Sequence, residues 1–585
     1  MLSQSSIRAL RRGVCVYRRN TLRGLSDRVP SHFRRPEHDE IGNSHVQNEF
    51  RQGFEQVASF YGRFIKYTTL SFISLASLVY ISWEGCHQWV EQVELAPPPS
   101  PSDDPYQWSD ELDTWTSASG GTDPKLGYRG RHAVRAAWMA LHWAGEPNLN
   151  VIESSVAVGG TGGNPFDKQL HDALSHLSTA LAVAYRNAGD LGTNTNREPT
   201  VMNLLALSGG ILDRIASPSA LSTAKPMLEE VHGFYLAEGH VDAAARLSVK
   251  LGDICAKLGG KDEAIEWWDR ALRSFGVDGI RSHLASEAPP SRLSNTPTPA
   301  QQRIIASALV SLSGHYASTR QFSKACEVEM AGLGLIAHHL LPSSSPSPDK
   351  TWSTGALLHQ LFLYSRATVL LMHLAEVTFA QGKSSPLSLP SLSTPTSSSL
   401  KWNYVWPWGR RHGITQERTD MAVEMSALQG AALSAERICE ALTNVPGPAV
   451  AAHTLHSIGM TVMRGMHRSP VLAPGSDTST ALSSPPAQPN TALHPSFAKS
   501  RTLSKPSAAL LRQSKRIAAQ SFQLCGMLFE KRGKDTEAME EYERALAWVG
   551  GGPDGRTGAD AIESEWKAIW ERYIKVRERV LQSKT

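Results

Sequence analysis

Between residues 247 and 276 the apolar positions recur at the helical interval, in two stripes that meet across a turn. Leu247, Leu251, Ile254 and Leu258 make the first stripe, and Ala264, Trp268, Ala271 and Phe275 make the second. Gly259-Gly260 lies between them, where one helix stops and the chain turns back. The small residues Gly252, Ala264 and Ala271 stand where two such helices must approach, with Trp268 filling the space between. The pattern predicts an antiparallel helix pair. Its spacing returns from 522 to 550 with Phe522, Cys525-Gly526, Phe529, Ala538, Tyr542 and Ala545. A weaker copy has Leu309, Leu312-Ser313, Tyr316 and Ala325, with Glu329 where the other two place a ring; half-units occur at Leu371, Leu374-Ala375 and at Leu455, Ile458-Gly459. Further apolar stripes of helical period predict helices over 131–144, 166–187, 200–215 and 219–238. Trp566, Ile569, Tyr573, Val576 and Val580 give a last stripe, which predicts a capping helix over 560–582.

The positions Leu251, Gly252, Ala264, Trp268 and Ala271 resemble those of the tetratricopeptide repeat (TPR), a helix-turn-helix unit of about 34 residues. Ser248 and Cys255 replace the aromatic residues of its first helix and Gly276 its terminal proline, so the unit is degenerate. A single unit cannot bury both faces, so copies must stack. The resemblance implies an all-α fold, a TPR-like helical solenoid over 125–552; a generic helical bundle is the alternative. Segments rich in Ser and Pro near 286–300, 342–350, 384–399 and 469–507 interrupt it, with too little apolar surface to order themselves.

One stretch breaks the amphipathic pattern. Residues 67–83 carry no charge, and with Phe64, Ile65 and Lys66 they make a segment that rises about 30 Å as a helix, enough to cross a bilayer core. The expectation is a transmembrane helix over 64–83; a helix buried in the body is the competing reading. Arg63 and Lys66 precede it and Glu84, Glu91 and Glu94 follow, which puts the N-terminus on the basic-favouring side of the membrane. Residues 96–124 begin with a proline run and predict an extended spacer, on which Trp108 and Trp115 can fold back onto the helices.

Charge adds a destination. Residues 1–36 hold nine Arg against Asp27 alone, a balance of +8 in a chain of net +4, so the remainder carries −4. That is the composition of a mitochondrial presequence, with a basic unstructured arm as the alternative, and an acidic body is no nucleic-acid surface. The six cysteines, at 15, 86, 255, 326, 439 and 525, form no paired spacing and predict isolated thiols.

Candidate chemistry is sparse. The run Gly159-Gly160-Thr161-Gly162-Gly163 lacks the Lys and Ser/Thr of a phosphate loop, and His453 and His456 have no third ligand beside them. No catalytic, metal or cofactor signature is present, and the reading is of a chain that is not an enzyme. A binding role rests on the groove that first helices line in a stacked array; the candidate groove residues are Arg246, Asp253 and Lys257. Positions 249, 253, 523 and 527 hold Val, Asp, Gln and Met, not the Lys and Asn with which some TPR proteins clamp a C-terminal carboxylate. The loop from Lys401 to Arg411, with Trp402, Tyr404, Trp406 and Trp408, is suited to lipid, to a partner or to the solenoid itself.

Presequence, one span, Pro spacer and degenerate TPR body, in that order, resemble the fungal TPR adaptor subunits of the mitochondrial inner-membrane i-AAA protease. The resemblance implies single-pass insertion in the inner membrane, a short matrix N-terminus and a body in the intermembrane space. It also implies binding of unfolded or membrane protein substrates and partnership with the protease subunits. A TPR assembly factor for a respiratory-chain complex would share the same features.

Overall fold

A computed structural model describes residues 43–97, 104–111, 115, 117, 120–143, 165–190, 198–277, 297–340, 353–381, 416–444, 458, 461, 492–549 and 563–584. The presequence, the insertions at 342–350 and 384–399, the loop 401–411, the glycine run at 159–163 and the pair His453 and His456 lie outside the described residues. The described residues are helical, with 15 α-helices and no strand among them.

The chain divides into two compact units, Met1–Gly85 and Cys86–Thr585. In the first, α1 (Asn43–Trp89) presents every side chain from Phe50 to Trp83 to solvent. Its Phe50–Glu94 stretch, which includes a closing π-helical turn over Val90–Glu94, is the one helix among the described residues long and apolar enough to cross a membrane. The expected span at 64–83 lies inside it.

The second unit is a succession of helices, each packed on its neighbour in the chain: α2 (Gly127–His142), α3 (Pro165–Asp190), α4 (Pro199–Ile215), α5 (Pro218–Ala237), α6 (Val241–Lys257), α7 (Lys261–Arg273), α8 (Pro299–Ser318), α9 (Phe322–Leu340), α10 (Thr354–Gln381), α11 (Gln416–Thr443), the short α12 (Pro495–Ala498), α13 (Ser504–Lys531), α14 (Asp535–Val549) and α15 (Glu563–Lys584). Across the pairs, α8 touches α6 and α10, and α10 touches α13. Apolar stripes drive the packing, and local chemistry sets the starts. Pro199, Pro218 and Pro299 sit in first turns, where a missing N–H is harmless, and Thr298 with Gln301 closes a capping box. Tyr573, Ile569, Val576 and Val580 of α15 are buried against the preceding helices, as its stripe requires.

Two expectations need correction. The interval 469–507 ends in ordered helix, because Pro495 and Ser504 are helix-start residues and Phe497 is fully buried. Composition counts these Ser and Pro as solvated; their position puts them in the first turns of two helices. Nor is the described part of 96–124 extended throughout: 3-10 turns form at Ser109–Glu111 and Pro124–Leu126, and the two tryptophans fold back onto the helices. Trp108 is 1% exposed in the core of α10, α11 and α13, and Trp115 is buried with Val90, Leu95 and α2. The carboxylate of Glu91 accepts from Arg131 Nη2 (2.5 Å) and from the Thr122 N–H (3.0 Å) and hydroxyl (2.8 Å to Oε2). Burial works to raise its pKa, but the bonds from Arg131 and Thr122 outweigh that and hold it below the ordinary value.

The turns show why successive helices pack at one register. Gly239, Gly259, Arg320 and Gly533 all have positive φ, between +61° and +86°. After each, the next N–H reaches back to a carbonyl five residues earlier: His240 to Tyr235, Gly260 to Cys255, Gln321 to Tyr316 and Lys534 to Phe529, at 2.8–3.0 Å. Seven residues before and nine after each turn residue, two side chains face one another. Two of these pairs are Gly252 with Trp268 and Gly526 with Tyr542. A Cβ on Gly252 would stand 2.5 Å from the indole, and one on Gly526 would stand 2.8 Å from the phenol. The other two are hydrogen bonds, Ser248 to His232 (3.0 Å) and Ser313 to Glu329 (2.8 Å). Glu329 therefore explains Ser313: with no ring to admit, the first helix can carry a side chain.

The ring-bearing pairs also satisfy their polar tips. Trp268 Nε1 donates to Asp253 (3.1 Å), and the Tyr542 hydroxyl donates to Glu530 (3.0 Å). Trp268 is 2% exposed, so Trp268→Ala is expected to cost roughly 3–5 kcal/mol. Gly252→Ala should cost about 1–3 kcal/mol by overpacking. The two should couple: in the double variant the added methyl enters the space the indole left, and the total falls below the sum. Thermal unfolding of the full chain followed by circular dichroism measures all three; strict additivity would show that the close approach is not where we place it.

Glu329 yields a second expectation. It is fully buried; desolvation raises its pKa to about 7, against the Ser313 bond that lowers it, with Glu376 raising it further. Nearby His373, whose ring meets the Ser313 hydroxyl (3.3 Å), is desolvated to a pKa of about 4 and stays neutral, so it supplies no counter-charge. The folded chain thus holds the Glu329 proton more tightly than the unfolded chain. The contribution is full below about pH 4.5 and is lost as the pH rises to about 7. Glu329→Gln should leave stability at pH 5 nearly unchanged and raise it at pH 8 by up to roughly 3 kcal/mol, read as a melting difference between the two pH values. Equal shifts at both would mean the carboxyl is ionised throughout.

Candidate functional site

The polar side chains of α4, α6, α8 and α10 meet on one face. On α6, Arg246, Lys250, Asp253 and Lys257 follow one another at the helical interval. Asp213 of α4 receives Lys257 at 3.0 Å and Lys250 at 3.8 Å. The Asp253 carboxylate bonds to Ser311 of α8 as well as to Trp268, and burial raises its pKa against those bonds and the charge of Lys257. At the N-terminal ends of the helices, Gln301 of α8 donates to Asp242 of α6 (3.0 Å), and Gln302 bonds to His359 of α10 (2.9 Å). The first helices of successive pairs are therefore linked through polar side chains on this face.

The three candidate groove residues differ in what they do there. Lys257 is exposed and ion-paired at a surface geometry. Arg246 is half-buried, and its charge reaches both Tyr235 and Arg303. Asp253 is tied into the packing of its own helix pair through Trp268. Of the repeat-signature residues, Leu251, Gly252, Ala264, Trp268 and Ala271 in one helix pair and Phe522, Gly526, Ala538, Tyr542 and Ala545 in the other are buried, and Phe529 is partly so.

The feature the sequence did not announce is Arg303. Five residues into α8 and 1% exposed, it is surrounded by the segment Asp104–Glu111. Its Nε donates to the Glu111 carboxylate in a very short contact. Its Nη atoms donate to the carbonyls of Tyr106 (2.9 Å) and Gln107 (3.1 Å). The guanidinium lies 4.1 Å over the Trp108 ring, whose Nε1 donates to the Gly355 carbonyl of α10 (3.1 Å). Phe362 meets Trp108 edge-on at 6.3 Å, and Tyr106 lies 5.6 Å from His359. Burial lowers the Arg303 pKa and Glu111 opposes it. A strap of chain thus crosses the N-terminal ends of α8 and α10. Of its parts only Trp108 had a signal in the sequence; Arg303 stands in a degenerate copy with nothing to mark it.

Among the described residues no group of three His, Cys, Asp or Glu is placed to hold a metal ion. Cys255, Cys439 and Cys525 are buried free thiols, their pKa values raised by desolvation, while Cys86 is exposed. No protein-family model matches the chain, and no curated protein matches it either.

Different roles on one face predict different costs. Asp253→Ala strips the Trp268 N–H and Ser311 of their acceptor inside the body and should lower stability by about 1–3 kcal/mol. Lys257→Ala, at an exposed ion pair, should stay within about 0.5 kcal/mol of the parent. Melting curves of the two single variants distinguish them; equal melting temperatures would place Asp253 outside the packing.

Proposed function

We propose that this chain is a non-enzymatic adaptor, anchored by a single membrane span, whose TPR-like solenoid binds unfolded or membrane protein substrates and delivers them to the mitochondrial inner-membrane i-AAA protease. One observation carries the reading: an apolar helix exposed along its length precedes stacked helix pairs whose first helices align their polar side chains on one face. Stacked helix pairs present such a face as a surface for peptide segments. The turn-and-pair device at Gly252 and Gly526 supports the TPR-like assignment, because it uses the signature positions as a TPR does.

The arginine-rich start supports a mitochondrial destination, and the basic residues before the span support an N-terminus in the matrix with the body in the intermembrane space. The hydrolytic chemistry belongs to the protease in this scheme, so the adaptor supplies binding and proximity alone and needs no cofactor. Affinity isolation of the tagged chain from detergent-solubilised mitochondria is the test. Co-enrichment of an ATP-dependent inner-membrane protease is the expected result; enrichment of respiratory-chain subunits without it would overturn the proposal in favour of an assembly factor.

A further inference from the structure

We infer that the strap Asp104–Glu111 is a displaceable internal ligand, occupying a site on α8 and α10 that accepts client segments bearing a tryptophan followed three residues later, one tight turn on, by a carboxylate. This rests on the adaptor reading for what the clients are, and on the geometry of the strap alone for where they bind.

Three observations carry it. The first is how the strap is held. Its backbone-to-backbone bonds are internal, Gln107 N–H to Asp104 and Glu111 N–H to Trp108, so no ladder joins it to the helices. Attachment comes from Trp108, which donates to Gly355 and packs on Phe362, from Glu111, which meets Arg303, and from the Tyr106 and Gln107 carbonyls, which accept from the same guanidinium. An aromatic anchor in a pocket with a charged second point is how a groove holds a peptide.

The second is charge. Arg303, Arg246 and Arg366 lie on three successive first helices. Glu111 is the acid that both Arg303 and Arg366 feel, while Arg246 repels Arg303. The site is cationic and its present occupant acidic. The third is backbone cost. Gln107 has φ +54°, a left-handed conformation unfavourable for a residue with a side chain, and it turns the Tyr106 and Gln107 carbonyls together onto Arg303. A client segment able to reach Trp and Glu subsites without that kink starts with an advantage over the strap.

The experiment uses the full chain in detergent and a fluorescent peptide of sequence Asp-Pro-Tyr-Gln-Trp-Ser-Asp-Glu. The unmodified chain should bind it weakly, and the Trp108→Ala/Glu111→Gln variant at least tenfold more tightly. Peptides with the Trp changed to Ala, or the final Glu to Gln, should lose that binding. A variant that keeps its helicity yet gains no affinity overturns the inference.

Should the variant lose its fold, hydrogen exchange in the unmodified chain decides. Saturating peptide should accelerate exchange of the 106–111 amides and leave α8 unchanged; no acceleration overturns the inference. The outcomes separate from those of the adaptor reading. Peptide exchange without protease co-isolation would retain the site and remove the adaptor, and protease co-isolation without peptide exchange would do the reverse.

Discussion

Two helices joined by a tight left-handed turn have little freedom in how they meet, and that constraint organises the helical body. Once the turn residue is at positive φ and the following N–H returns to the carbonyl five residues back, the positions seven before and nine after must share one volume. Glycine with a ring is one solution, at Gly252 with Trp268 and at Gly526 with Tyr542. A hydrogen bond between two modest side chains is another, at His232 with Ser248 and at Ser313 with Glu329. The solutions differ in consequence. The ring pairs bury apolar area and satisfy their polar tips on an acid of the first helix; the Ser313–Glu329 pair puts an ionisable group in the interior and ties that junction to pH.

The same contrast explains what could be read from the sequence. Gly252 with Trp268 and Gly526 with Tyr542 were legible because burying a ring demands specific residue types at fixed intervals. Helices with broad apolar stripes were legible too, with α4 and α5 beginning and ending within a residue or so of expectation. His232 with Ser248 left no trace, since a polar pair is chosen by its partner and many pairs would serve. Serines and prolines from 495 to 506 were misassigned because composition ignores position: the same residues that solvate a loop also start a helix. Arg303 was invisible for a different reason. Its partners lie almost two hundred residues away in the chain, and no local pattern reports a contact at that separation.

Arg303 also sets the polarity of the shared face. A guanidinium removed from water loses hydration that only hydrogen bonds and opposite charge restore, and deleting one partner leaves the remaining charge uncompensated. The strap supplies two carbonyls, one carboxylate and an aromatic face, which accounts for most of what a buried guanidinium needs. Without an occupant the site would be wet and cationic. The strap therefore does two things at once: it desolvates the N-terminal ends of α8 and α10, and it covers a binding surface with the chain's own acid.

That double role limits what can take its place. A purely apolar segment would fill the Trp108 volume and leave Arg303 without its counter-charge, a loss on the order of 3–5 kcal/mol for a buried pair. A purely acidic one would answer the charge but leave the pocket against Phe362 poorly filled. Only a segment carrying both, at the separation set by Trp108 and Glu111, matches the strap on each count. Relief of the Gln107 kink favours the exchange only where the client's own carbonyls still meet Arg303, since the strap's reach it through that kink. The selectivity of this face follows from the burial of one arginine more than from the number of polar groups along it.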